Sequence, residues 1–410
     1  MTPRIALISG GVILGGSTTF LLNLAGELVH RQRPVMVGSL EADNPYEEDF
    51  RRLGIPLLVE DDRTQIFEDR MNSMLGRLRE FRPDVVVACL GPSSYEVLRY
   101  VPQGVLRLGM IQSDYPENYP PFAPYIPYLD GMVGVSRQIE TNLRNHPQLG
   151  RVPTYYLPYG VMVPESVPRR SAPRPTTATP IRVLYLGRLS RPQKRVHLFP
   201  EILRHLASSG LPFDWTIAGD GPERDWLHAN LPAEEGNVRV RFSGPVHYRD
   251  VPAMLREHDI FLLASEAEGL PLSLLEAMAH GLVPVVSDLA SGVSEAADRT
   301  SAMLVQPDRI EGYAEAMIWL AEHPEEFAAM ANRAAESVRH TYSVAAMTDR
   351  WLAVAQQANG SGHSANWPDR FQIRPPLGYG ALRFSPPLRI LRRWWRQRRR
   401  PAEPQPSTPR

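Results

Sequence analysis

Ser265-Glu266-Ala267-Glu268-Gly269-Leu270-Pro271-Leu272-Ser273-Leu274-Leu275-Glu276-Ala277-Met278-Ala279-His280-Gly281 directly follows the apolar run Ile260–Ala264 and precedes a second one, Val283–Ser287. Pro271 suits the first turn of a helix and Gly281 its end. The stretch therefore reads as strand, loop, helix and strand. Glu268 falls on the loop entering the helix, and Glu276 lies roughly a turn inside it. Gly269 and the free N–H groups at the helix start form an anion site. Carboxylates beside an anion site are useful when they accept hydrogen bonds from hydroxyl groups, as on a sugar or a ribose. The glutamate spacing alone carries no information; its flanks do.

Upstream stands a second charged loop. Gly187-Arg188-Leu189-Ser190-Arg191-Pro192-Gln193-Lys194 follows the run Ile181–Leu186. A glycine at the end of a strand lets backbone approach a ligand closely. Arg188 as a fork and Lys194 as a point charge then suit a diphosphate. Two solvated surface cations would look the same locally. Usage favours the ligand reading, because 44 of the 45 basic residues are Arg and Lys194 is the only lysine. Around these loops the same alternation of apolar runs and amphipathic stretches recurs, through Trp215–Ala218, Val238–Phe242 and Met303–Val305. An earlier set comprises Ile5–Ile8, Val35–Val37, Val85–Leu90, Val105–Ile111 and Met132–Val135. Wholly apolar strands separated by helices indicate parallel sheets covered on both faces. The expected fold is α/β, with two doubly wound Rossmann-like domains and ligands in the cleft between them, beyond the carboxyl ends of the strands. The expected division is 1–163, a Pro-rich linker 164–180, a second domain 181–345, a terminal helix 346–358 and a Pro/Arg-rich tail 359–410. No internal sequence repeat is evident.

The arrangement G-R-L…K, then E-G-L-P-L-S-L-L-E-A-M-A-H-G-x-x-P-V-V-x-S-D, resembles the family 4 glycosyltransferases of the GT-B fold. Ala218-Gly219-Asp220-Gly221-Pro222 and Phe242-Ser243-Gly244-Pro245-Val246 match the spacing of that family. The resemblance is strong over 181–345, looser over 1–163 and absent beyond about 360. It implies a retaining, metal-independent enzyme that uses a UDP- or GDP-sugar and no cofactor. By the same resemblance Arg188 and Lys194 hold the donor diphosphate, Glu268 lies near the donor-sugar hydroxyls and Glu276 near the ribose. Gly269 and Leu270 supply backbone contacts, and Val246 lies in the loop that touches the base. The chain has no D-x-D, the metal-chelating signature of the other large glycosyltransferase fold. Another sugar-nucleotide enzyme of this fold, an epimerase or phosphorylase, and a non-catalytic binding module remain alternatives. A phosphorylase would need a lysine for pyridoxal, and Lys194 is already committed.

The first half holds the acceptor by the same resemblance, a glycan or a lipid-linked molecule. Gly15-Gly16 matches the family's glycine loop, and Ser17 is expected to cap the helix carrying Phe20, Leu24 and Leu28. No Gly-Lys-Ser/Thr follows, so the loop is not a P-loop. Those glycines and the missing small-x-small site also argue against a secretory signal, and the expected location is the cytoplasm. Many family members place a His after the strand equivalent to Val105–Ile111; this chain has Gln112-Ser113-Asp114-Tyr115-Pro116. Asp114 is the candidate to accept or position the acceptor's proton, or it forms a turn before the prolines. Tyr115, Tyr119, Phe122, Tyr125 and Tyr128 either line an acceptor or pack beneath the loop.

Composition narrows the rest. The 410 residues include 43% hydrophobic and 22% charged residues, with 45 basic and 45 acidic groups. That balance argues against nucleic-acid binding over the whole surface. One cysteine excludes a disulfide framework, and the 11 histidines show no metal-ligand spacing. Charge is nevertheless uneven: residues 370–410 hold 11 arginines and one acid, Glu403, leaving a body of about −10 and a tail of about +10. On a helical wheel over 388–400, Leu388, Ile390, Leu391, Trp394 and Trp395 face one way. Arg389, Arg392, Arg393, Arg396, Arg399 and Arg400 face another. This pattern suits a helix lying on an anionic membrane surface. A disordered basic extension, or a helix docked on the acidic body, fits it too.

Overall fold

The computed structural model describes residues 2–12, 15–42, 44–60, 64–165, 175–358, 362 and 365–377. The first sheet comprises β1 (Ile5–Ser9), β2 (Val35–Ser39), β3 (Leu57–Val59), β4 (Val85–Leu90), β5 (Leu106–Ile111), β6 (Gly131–Gly134) and β7 (Thr154–Tyr156). All pair in parallel, in the order β3-β2-β1-β4-β5-β6-β7. The second sheet comprises β8 (Ile181–Leu186), β9 (Phe213–Ala218), β10 (Glu234–Glu235), β11 (Val238–Gly244), β12 (Ile260–Leu263), β13 (Val283–Ser287) and β14 (Met303–Val305). Its order is β10-β11-β9-β8-β12-β13-β14, and β10 alone is antiparallel. With β10 set aside, both sheets run third-second-first-fourth-fifth-sixth, and the first adds β7 at its far edge. The repeat absent from the sequence is thus present in the topology.

The strands with continuous apolar runs are buried through most of their length, as sheets covered on both faces require. The sequence reading missed β3 and β7, which are three residues each and only half-buried; β3 is apolar but short, and β7 carries no apolar run. It also misplaced one cap. The helix Gly16–His30 starts one residue before Ser17; Gly15 occupies the cap position at φ 141°, and no side chain caps it. Its carbonyl receives the N–H groups of Thr18 and Thr19 at 3.1 and 3.2 Å. A left-handed glycine with no side chain leaves this helix start open to a ligand.

The order reverses between β1 and β4 and between β8 and β12, which places the crevice of each sheet at those carboxyl ends. The chain then returns to the first domain. Val161 donates to Ser343's neighbour Tyr342 at 2.8 Å and accepts from Val344 at 3.0 Å. The helix Val344–Ala355 lies against Gly16–His30, with Trp351 6.1 Å from Phe20 between ring centres and Arg31 bonding Asp349 at 2.5 Å. Among the described residues, no helix is long and apolar enough to cross a membrane.

Candidate functional site

The second domain contributes a preformed ionic cluster. Lys194 Nζ donates to Glu268 Oε1 at 2.5 Å, and Ser265 Oγ donates to the same oxygen at 2.5 Å. Glu268 is only 4% exposed, so its charge is held by this pairing rather than by water. Glu268 Oε2 takes no bond from a described residue. Arg188 behaves differently: it is exposed and pairs with no carboxylate among the described residues, while Tyr185 OH fixes its backbone carbonyl at 2.7 Å. The backbone around Arg188 is packed too tightly for side chains. A Cβ on Gly219 would sit 1.9 Å from Gly187 O, and one on Gly221 2.3 Å from Leu189 O. Those glycines let the loops after β8 and β9 stack directly.

Glu276 stands on the helix Leu272–Ala279, whose cap position is Pro271 and whose end is followed by Gly281 at φ 74°. The residue keeps a partial opening to solvent, but its carboxyl is enclosed, and lost hydration pushes it up to about 7. No described side chain bonds it. Tyr46, from the first domain, lies beside it. Burial and then the Glu276 charge raise that phenol, while the N–H of Gly15 donates to it. The Tyr46 phenol therefore lies beside the glycine loop and within electrostatic reach of Glu276, a proximity that nothing in its sequence surroundings signals.

Across the cleft the first domain presents oriented polar groups. Asp114 Oδ1 accepts from Tyr119 OH at 2.5 Å and from Asn142 Nδ2 at 2.8 Å. Asn142 is itself aimed by Gln138, which donates to its carbonyl oxygen at 3.0 Å. Asp114 is thus a positioned carboxylate rather than a turn-former alone, with no described residue bonding Oδ2. Gln112 donates from Nε2 to Cys89 O at 2.5 Å, which leaves Oε1 buried without a partner. Tyr115 OH is likewise buried and unpartnered, and its phenol is raised by burial and then by Glu268 and Glu266. Buried polar atoms left unpaired cost about 1–3 kcal/mol each unless a ligand completes them. The aromatic loop is divided: Tyr125 is fully buried, donating to Glu96 at 2.6 Å, while Tyr115 belongs to the cleft.

The two halves touch. Gly16 faces Leu272, where an added Cβ would meet Cδ1 at 3.3 Å. A Cβ on Gly269 would lie 2.3 Å from Gln112 O, and Gly269 O accepts from Gly292 at 2.8 Å. Glu295 Oε1 receives the N–H groups of Arg137 and, at 3.2 Å, Gln138, capping the helix Arg137–Asn145 from the other domain. Beside the half-buried Val246, His247 Nε2 lies 2.9 Å from Asp49 Oδ2, and Arg249 also contacts Asp49. Asp49 sits on the helix Glu47–Arg52 of the first domain and is 1% exposed. The loop 246–249 is therefore latched across the cleft, a contact the sequence reading did not foresee. Gly15, Gly16, Asp114, Glu268, Gly269, Leu270 and Glu276 converge on this cleft, with Arg188 and Lys194 on the second-domain loop beside it. Among the described residues, no three His, Cys, Asp or Glu side chains cluster as a metal would need.

Two doubly wound domains facing a shared cleft define the GT-B class. Residues 180–323 match the family model described as "Glycosyl transferases group 1". Over 184 residues the chain is 33% identical to WcaL of Escherichia coli (strain K12), named as a colanic acid biosynthesis glycosyltransferase, covering 42% of this chain and 45% of that one. It is 30% identical over 176 residues to the alpha-D-kanosaminyltransferase of Streptomyces kanamyceticus, covering 43% and 45%. The chain thus spans just under half the length of these curated relatives. In fold it is similar to a mutant of S. aureus TarM in complex with fondaparinux, alpha-GlcNAc-glycerol and UDP, at TM-score 0.69, 12% identity, and 86% and 99% coverage. It is also similar to Anabaena Alr3699/HepE in complex with UDP-glucose, at TM-score 0.68, 17% identity, and 87% and 100% coverage. The fold is GT-B, as expected, and residues 180–323 carry the match to the group 1 glycosyltransferase model.

Proposed function

We propose that the protein is a retaining, metal-independent glycosyltransferase that moves a sugar from a nucleotide diphosphate to a glycan or lipid-linked acceptor. The observation that carries this reading is the pairing of Lys194 with Glu268 directly across from the unpartnered Tyr115 OH and Gln112 Oε1. Arg188 and Lys194 hold the diphosphate and, with the N–H groups at the Leu272 helix start, neutralise it as it leaves. Lys194 then shares its donors between Glu268 and phosphate. Glu268 accepts from hydroxyls of the transferred sugar, Glu276 from the ribose, and the loop at Val246 contacts the base. The bond between the anomeric carbon and the phosphate oxygen breaks as the acceptor oxygen bonds the same face. The acceptor's proton passes to the leaving phosphate, and Asp114 orients the hydroxyl. No protein nucleophile is invoked, and the transition state is oxocarbenium-like.

The carboxylates of Asp114, Glu266, Glu268 and Glu276 disfavour an anionic sugar by like-charge repulsion. UDP in the structural neighbours makes uridine donors the first to try. The test is a donor panel with mass-spectrometric readout of released sugar, comparing UDP- and GDP-linked neutral hexoses with UDP-glucuronate. Turnover of a neutral hexose that survives EDTA supports the reading. Activity silenced by EDTA and restored by manganese overturns the metal-free mechanism, and no turnover or binding of any nucleotide sugar overturns the whole. We place the enzyme on the inner face of an anionic membrane, held by the Arg/Trp segment 388–400, which lies outside the described residues.

A further inference from the structure

Beyond the last helix the chain forms a strap across the first domain, on the side away from the cleft. Ala365 and Trp367 are buried there, Arg79 donates to Asp369 O at 2.7 Å, and Arg99 to Pro375 O at 2.9 Å. The N–H of Arg374 donates to Tyr100 OH at 2.7 Å, and the N–H of Leu377 donates to Glu96 Oε1 at 2.6 Å. Most of these bonds fix the strap's backbone and leave its arginine side chains uncommitted. Between strap and domain lies a cavity of about 320 Å³, lined by Arg99, Tyr100, Tyr128, Arg370, Phe371 and Arg374 among others. Arg99 and Tyr100 follow the helix Gly91–Leu98, and Tyr128 precedes β6, so the cavity sits towards the amino ends of β5 and β6.

Its charge is unbalanced. Arg99 is neutralised by Glu96 at 2.5 Å, and its guanidinium lies 5.6 and 5.7 Å from the ring centres of Tyr100 and Tyr128. Glu96 is spent on Arg99, Tyr125 and Leu377. Arg370 and Arg374 are exposed and pair with no carboxylate among the described residues. Two uncommitted guanidinium forks beside aromatic walls, on a clamped backbone, match a phosphate group. The strap runs directly into the segment holding nine further arginines, from Arg383 to Arg410, which repeats the same preference for phosphate.

We propose that this cavity seats the phosphate of an anionic lipid headgroup, anchoring the first domain at the membrane. This deepens the membrane reading above and adds a second contact, separate from residues 388–400. The test is cosedimentation of the full chain with phosphatidylcholine vesicles, with and without phosphatidylglycerol. Relative to wild type, Arg370→Ala/Arg374→Ala should weaken binding to the anionic vesicles roughly 30-fold, at about 1 kcal/mol per arginine near such a surface. The charge-matched control Arg204→Ala/Arg241→Ala, in the second domain, should change it less than about threefold. Arg370→Lys/Arg374→Lys should restore only part of the loss, because the fork is missing. Equal binding by strap and control variants, or full restoration by lysine, overturns the phosphate seat. So does inorganic phosphate raising the wild-type melting temperature while the strap variant still binds vesicles normally, because the source is then not lipid. Wild type failing to bind anionic vesicles sinks the membrane reading as a whole. Binding that survives Trp394→Ala/Trp395→Ala but is lost in the strap variant sinks only the tail and supports the seat.

Discussion

The two domains share one strand order yet present opposite kinds of surface to the cleft. The second domain offers one charge cluster already paired, with Lys194 and Ser265 both bonded to one oxygen of Glu268, beside Arg188 and Glu276, which no described side chain pairs. The first offers groups positioned but incomplete: Asp114 with one oxygen fixed, and Gln112 and Tyr115 with buried atoms unbonded. On the proposed function, the second domain takes the chemically constant nucleoside diphosphate, which a preset ionic cluster suits. The acceptor varies, and on the same proposal its half is left as unfilled hydrogen-bond capacity. The topology is common to both halves; the chemistry divides the labour.

The largest expected effect falls on what holds the halves together. Trp351 is fully buried against Phe20, so Trp351→Ala should cost about 3–5 kcal/mol in denaturant unfolding. A change below about 1 kcal/mol would mean that the crossing helix is not the staple it resembles.

Next come the donor-side cations. Lys194→Ala and Arg188→Ala should each weaken nucleotide-sugar binding by about 1.5–3 kcal/mol, or roughly 10- to 150-fold, with the free nucleoside nearly unaffected. Calorimetric titration checks both. Equal losses for nucleoside and nucleotide sugar would remove the diphosphate assignment. Lys194→Arg should also be impaired, because the point charge beside Glu268 does not accommodate a planar fork.

Glu276 should make the donor half pH-sensitive. Its carboxyl, pushed to about 7 by burial, is largely protonated at pH 6 and ionised at pH 8. In its proposed role the ionised form accepts from both ribose hydroxyls, so nucleoside affinity should rise up to about tenfold across that range and be flat in Glu276→Gln. Stability runs the other way. A carboxyl raised above its unfolded value opposes folding once ionised, so wild type should lose stability relative to Glu276→Gln as pH climbs from about 4.5 to 7. A flat wild-type binding profile would remove Glu276 from the ribose.

The smallest effect belongs to the acceptor half. Tyr115→Phe removes one unpaired hydroxyl and should cost turnover about 0.5–1.5 kcal/mol while leaving nucleotide affinity intact. A loss of nucleotide affinity instead would place Tyr115 in the donor half and blur the division.

The same contrast explains what could be read in advance. Gly269, Arg188 and Lys194 sit in loops after apolar strands, and Glu276 sits on the helix that follows one of them, so local spacing was enough to single them out. The central strands of both sheets announced themselves through apolar runs, whereas β3 is an apolar stretch of only three residues and β7 has none, both being half-buried edges. Gly15 was recognised as a loop residue but not as the cap itself, because a left-handed glycine leaves no side-chain signature.

What the chain determined by itself is the identity of the strands, the glycines that let loops stack, and the charged residues at strand ends. These depend on neighbours within a few positions and on which side chains tolerate burial. The tertiary structure decided which of those charges are spent and which are free. Lys194 meets Glu268 across 74 residues, and Asn142 meets Asp114 across 28. His247 reaches Asp49 across 198, and Leu377 reaches Glu96 across 281. A hydrogen bond needs its partners within about 3 Å, and at such separations only the folded arrangement of the two sheets sets that distance.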